Sequence, residues 1–98
     1  MNNRIDSVSA QPDYATIGGG QDNNATGPFS TIAGGMGNGT VLQGSTVGGG
    51  SQNVAADEHA TVGGGRSNTA NGPECTVGGG RGNTASGLSC TVSRGYEN

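Results

Sequence analysis

Lysine and tryptophan are absent from this chain of 98 residues, and its only aromatics are Tyr14, Phe29 and Tyr96. Without lysine, a phosphate-cradling G-x-x-x-x-G-K-[ST] loop cannot be written, however many glycines the chain holds. The four arginines, Arg4, Arg66, Arg81 and Arg94, form no run that would track a phosphate backbone, and the formal charge is −3. Nucleic acid is therefore not an expected partner. No apolar stretch is long enough to span a bilayer as a helix, and residues 1–10 lack the apolar segment of a secretory signal. Membrane insertion is not expected. One histidine, two cysteines and scattered acids give no nucleophile with its base, no metal cluster and no cofactor loop. The expectation is a protein that is not an enzyme and takes no metal or cofactor.

What the chain does have is glycine, at 22 positions, and a period. Thr16, Thr31, Thr46, Thr61, Thr76 and Thr91 open successive units of fifteen residues with no insertion between them. We number the places within a unit from this threonine. Place two holds Ile17, Ile32, Val47, Val62, Val77 and Val92; place eight holds Asn23, Asn38, Asn53, Asn68, Asn83 and Asn98. Place ten holds Ala25, Ala55, Ala70 and Ala85, with Thr40 in the second unit. A fixed period of this kind marks a stacked array whose units cannot bury their apolar faces alone.

Each unit reads as two short extended pieces alternating with two corners. Glycine and β-branched residues disfavour helix, and no apolar stripe recurs at helical spacing. The fold class expected is all-β, a parallel β-solenoid with one coil per fifteen residues. Six coils at about 4.8 Å each give a prism on the order of 30 Å long. Place two points inward, where a β-branched side chain packs on its copies above and below, and the small residue of place ten faces it across a thin interior. Asparagine at place eight either stacks as an amide ladder or caps a turn. So small a core implies that long hydrogen-bond ladders and association with other chains supply the missing stabilisation. A homo-oligomer is expected. Residues 9–98 form the repeat domain, with Ser9 to Ala15 as a half unit, and residues 1–8 read as a leader or the remnant of a preceding region.

The pattern T-V-G-G-G-x-x-N-x-A-x-G-x-x-S, best written around Val62, Asn68, Ala70 and Gly72, resembles the head repeats of trimeric autotransporter adhesins, the YadA-like or haemagglutinin-type β-roll. The resemblance implies a left-handed parallel roll in each chain and three rolls side by side around a threefold axis, with the inward Ile/Val and Ala filling each roll.

Several residues invite sharper readings. Cys75 and Cys90 share a column, one unit apart, at a spacing a disulfide tolerates; the column otherwise holds Ser30, Ser45 and Ala60, so cysteine also reads as a small buried filler. A calcium motif is suggested only by Gly18 to Asp22, and the aspartate is not repeated in later units. The single rank of threonines reads as a strand-stabilising hydroxyl ladder rather than an ice-binding array. Asn24-Ala25-Thr26 and Asn38-Gly39-Thr40 match the glycosylation sequon. The corner Asp57, Glu58, His59 replaces the Gly-Pro of other units with acids and is a possible contact surface.

Taken together, these features predict a structural surface-fibre module, a trimeric β-roll for adhesion to a host surface or matrix. The alternative is a self-assembling filament subunit or phage tail-fibre segment with no ligand of its own. Either places the protein outside the cell, at the cell surface or on a virion fibre.

Overall fold

A computed structural model describes residues 3–5, 14–93 and 95–96. The chain is an all-β solenoid in which every strand is parallel to its neighbours and each coil from Thr16 onward consumes fifteen residues; no helix occurs among the described residues. Place one and place two form one sheet. Thr16 pairs with Thr31, and the same register runs through Thr46, Thr61 and Thr76 to Thr91, so every threonine and every Ile/Val lies directly over its copy. Places nine and ten form the second sheet, from Asn24–Ala25 through Gly39–Thr40, Val54–Ala55 and Thr69–Ala70 to Thr84–Ala85. Two residues are enough for a strand here because the inner strands are paired in register both above and below.

The two sheets face each other across an interior filled by place two, place ten and place fifteen. Ile32, Val47, Val62, Val77, Ala25, Ala55, Ala70 and Ala85 are buried, as are Ser30, Ser45, Ala60 and Cys75, while Ile17 and Val92 in the outer coils are half-buried. One β-branched side chain opposite one alanine makes a thin layer, and the Cα envelope measures 34 × 28 × 13 Å. Thr40 is the one polar residue at place ten. Its hydroxyl donates to Ser30 Oγ at 3.0 Å, across the interior, and Ser30 Oγ passes the bond to the Gly27 carbonyl at 2.6 Å. A buried hydroxyl is thereby satisfied, as the low dielectric of a core requires.

Two features were hidden from the count of fifteen. A third ladder runs at place six, where Gln21, Met36, Ser51, Arg66 and Arg81 are bridged in series and Gly80–Arg81 pairs with Gly95–Tyr96. The second feature lies within residues 1–8, which counting leaves outside the repeat. Arg4–Ile5 pairs in parallel with Asn24–Ala25, and Asn3 Oδ1 accepts from the backbone and side-chain amides of Asn23 at 3.0 and 3.1 Å. Asn3 thus does the work of place eight, and Arg4–Ile5 take the register of places nine and ten, at an offset of twenty rather than fifteen. Ala10, the residue that counting puts in that column, and most of the half unit at Ser9 to Ala15 lie outside the described residues, as does Asn98.

Candidate functional site

Because the chain crosses from one sheet to the other twice per coil, the roll has two edges, and they are built differently. The first edge holds places three to eight. Here each asparagine side chain replaces the backbone ladder that the turn interrupts. Asn53 Oδ1 accepts the N–H of Asn68 in the next coil at 2.9 Å, while its Nδ2 donates to Gly49 O in its own coil and to Gly65 O in the next, both at 2.9 Å. The same three bonds recur at Asn38 and Asn68, and the whole column from Asn23 to Asn83 is buried. Ladder and turn cap, posed as alternatives by the sequence, are one arrangement.

Glycine at place five is what lets the amide in. Gly65 has φ +94°, and a Cβ there would lie 2.1 Å from Gly80 O and 2.7 Å from Asn68 Nδ2. Place four is different. At Gly34, Gly64 and Gly79 an added Cβ meets no heavy atom within 4 Å, and the backbone there is outside the left-handed region. The isolated roll makes no demand for glycine at these positions.

The second edge holds places eleven to fifteen and carries most of the side-chain variety. Its device is a left-handed backbone at place fourteen in every coil: Tyr14 (φ 50°), Phe29 (58°), Gly44 (71°), His59 (55°), Glu74 (57°) and Ser89 (55°). At such a residue the N–H points back to the preceding coil, as from His59 to Gln43 O and from Glu74 to Glu58 O, both at 2.9 Å. The same reversal occurs at place seven on the first edge, at Asp22, Gly37, Gln52, Ser67 and Gly82. Glycine, aspartate and histidine tolerate this region best, and their scatter through both columns was the only trace of it in the sequence.

Place fourteen projects its side chains in a row, paired coil to coil. Tyr14 stacks on Phe29 with ring centres 5.2 Å apart. The His59 ring covers Gly44, where a Cβ would sit 2.6 Å from Nδ1. Ser89 Oγ donates to Glu74 Oε1 at 3.1 Å. With exposed Val41 and Leu42, the two rings make the apolar end of this edge. The proposed contact corner follows: Asp57 is half-buried, with Oδ1 accepting the Glu58 N–H at 2.7 Å, whereas Glu58 and His59 are exposed. These three side chains do not converge on a common point, and among the described residues no group of three His, Cys, Asp or Glu could hold a metal. Arg66 and Arg81 stand on the opposite edge, the latter 5.4 Å from the centre of the Tyr96 ring.

Other sequence signals resolve simply. Asn38 cannot act as a glycan acceptor because its amide is buried and fully bonded, whereas Asn24 is exposed. Cys75 and Cys90 are both free thiols.

No family model and no curated protein matches this chain. The likeness to adhesin head repeats therefore rests on the repeat pattern alone.

Proposed function

We propose that this chain is a structural surface-fibre module, in which three rolls associate side by side into a stiff rod that adheres to a host surface or matrix from the cell surface or a virion. The observation that carries this reading is the use of the buried polar groups. From Asn23 to Asn83 every buried amide is spent on joining coil to coil. A molecule so invested resists bending and shear along its stack, which suits a rod. The glycines of place four support association. They leave a side-chain-free strip that the single roll does not need, and such a strip admits close approach of another backbone. A closed threefold ring requires two different surfaces on each chain to meet, and the place-four strip on the first edge is offered as one of them. Adhesion is assigned to the second edge, where the side chains vary from coil to coil.

Light scattering on the eluting protein, across a hundredfold dilution, tests the assembly. A trimer mass independent of concentration is expected. A monomer contradicts the reading, and open-ended polymers replace it with the filament reading. Adhesion is tested separately by replacing Asp57, Glu58 and His59 with alanine and measuring capture on immobilised matrix. Weaker capture with the trimer intact supports the assignment; unchanged capture removes this corner from the contact.

A further inference from the structure

Place fifteen treats cysteine and serine differently. Ser30 and Ser45 turn back on their own coil, donating to Gly27 O at 2.6 Å and Leu42 O at 2.7 Å. Cys75 turns forward instead. Its thiol donates to Gly87 O in the next coil at 2.9 Å, and the N–H of Cys90 approaches its sulfur at 3.3 Å. Cys90 Sγ accepts the N–H of the same Gly87 at 3.1 Å. One residue thus holds both sulfurs, the buried one through its carbonyl and the half-exposed one through its amide. Thr76 and Thr91, which follow the two cysteines, are direct register partners. Neighbouring Cα atoms in such a ladder lie about 4.8 Å apart, inside the span that a disulfide bridges.

We propose that Cys75 and Cys90 form a thiol–disulfide exchange site, with Cys90 as the attacking thiol, Cys75 as the resolving thiol and a small-molecule disulfide as the oxidant. Cys90 loses its proton to solvent, and its thiolate attacks one sulfur of the oxidant. The oxidant's S–S bond breaks, a mixed disulfide forms on Cys90, and the first small thiolate leaves and is protonated. Cys75 then loses its proton and attacks Cys90 Sγ, expelling the second small thiolate. Two protein thiols have become one S–S bond, and two electrons have passed to the oxidant, which ends as two thiols.

The division of roles follows from access and from charge stabilisation. Cys90 is the sulfur a solute can reach. The Cys75 thiol facing it and then the Gly87 N–H hold its pKa below the usual thiol value, while burial first, and the Cys90 thiol second, push Cys75 up. A reachable thiol of lowered pKa beside a buried partner is the arrangement of a redox-responsive pair. The bridge ties the coil that begins at Thr76 to the one that begins at Thr61.

The test uses the full chain incubated with glutathione disulfide at pH 8, quenched in acid and read by intact mass and peptide mapping. Loss of two hydrogens, with a single Cys75–Cys90 peptide and no free thiol, is expected at all protein concentrations. Cys75→Ser should trap a stable glutathione adduct on Cys90, whereas Cys90→Ser should react about tenfold more slowly or less. Serine already occupies this column at Ser30 and Ser45, so both variants should fold, and peptide mapping of early time points in the unaltered chain gives the same answer without them. Two persistently free thiols, bridges formed only between chains, or equal reaction rates at the two cysteines would overturn the proposal.

Discussion

The two edges of the roll share a left-handed backbone reversal and differ in the side chains added to it. Each must carry the backbone from one sheet to the other while keeping fifteen residues per coil. The first edge uses side chains: one asparagine per coil makes three bonds, and a left-handed glycine at place five opens the space for it. The second edge has no such column. It relies on a left-handed residue at place fourteen whose N–H reaches the preceding coil, as place seven does on the first edge, and on short bonds from place fifteen such as Ser30 Oγ to Gly27 O and Ser45 Oγ to Leu42 O. Identity of residue is thereby fixed at place eight on the first edge and released at place fourteen on the second. Tyr14, Phe29, His59, Glu74 and Ser89 share one backbone conformation while their side chains range from aromatic to acidic. Variation is tolerated at place fourteen because the main chain alone makes its bond to the preceding coil, and that is the edge to which we assign contact with a partner.

Substitutions can break this contrast in order of size. Asn53→Ala removes three hydrogen bonds and strands the N–H of Asn68 and part of the bonding at Gly49 and Gly65. Unsatisfied buried groups cost about 1 to 3 kcal/mol each, so a loss of about 3 kcal/mol or more is expected in urea unfolding. A loss below about 1 kcal/mol would mean that the amide column is ornamental. Gly65→Ala should cost about 2 to 3 kcal/mol, because the left-handed backbone and the 2.1 Å approach to Gly80 O both oppose a methyl group.

Smaller effects sharpen it. Glu74→Gly on the second edge should be mildly stabilising, by about 0.5 kcal/mol. Relief of the left-handed strain at φ 57° outweighs the extra entropy of the unfolded glycine, and the exposed Ser89 contact contributes little. Destabilisation by more than about 1 kcal/mol would show that side chains matter on this edge after all. Gly64→Ala should leave folding within about 0.5 kcal/mol, since its Cβ meets nothing. In the three-roll assembly we propose, the same variant should weaken association. Unchanged trimer mass in Gly64→Ala would remove place four from the interface.

The columns that the period exposes in sequence are those where a side chain has one task repeated in each coil. Place two needs a β-branched apolar group, place ten a small one, and place eight an amide with one acceptor and two donors; these needs select the same residue each time. The left-handed places seven and fourteen were illegible because stacking enforces their backbone, and Phe29, Gln52 and Glu74 follow without being suited to it. The bridged column at place six was illegible for the same reason, holding Gln21, Met36, Ser51, Arg66, Arg81 and Tyr96. Asn3 and Ile5 escaped because an offset of twenty breaks the count while the geometry of the coil is kept.

Hydrogen exchange of the asparagine side-chain amides, followed by NMR, tests the account at its centre. The carboxamides of Asn38, Asn53, Asn68 and Asn83 should exchange orders of magnitude more slowly than those of exposed Asn24 and Asn71, and should be released together only when the roll unfolds. Exchange at Asn53 and Asn68 as fast as at Asn24 would contradict a roll held in register by its amide column.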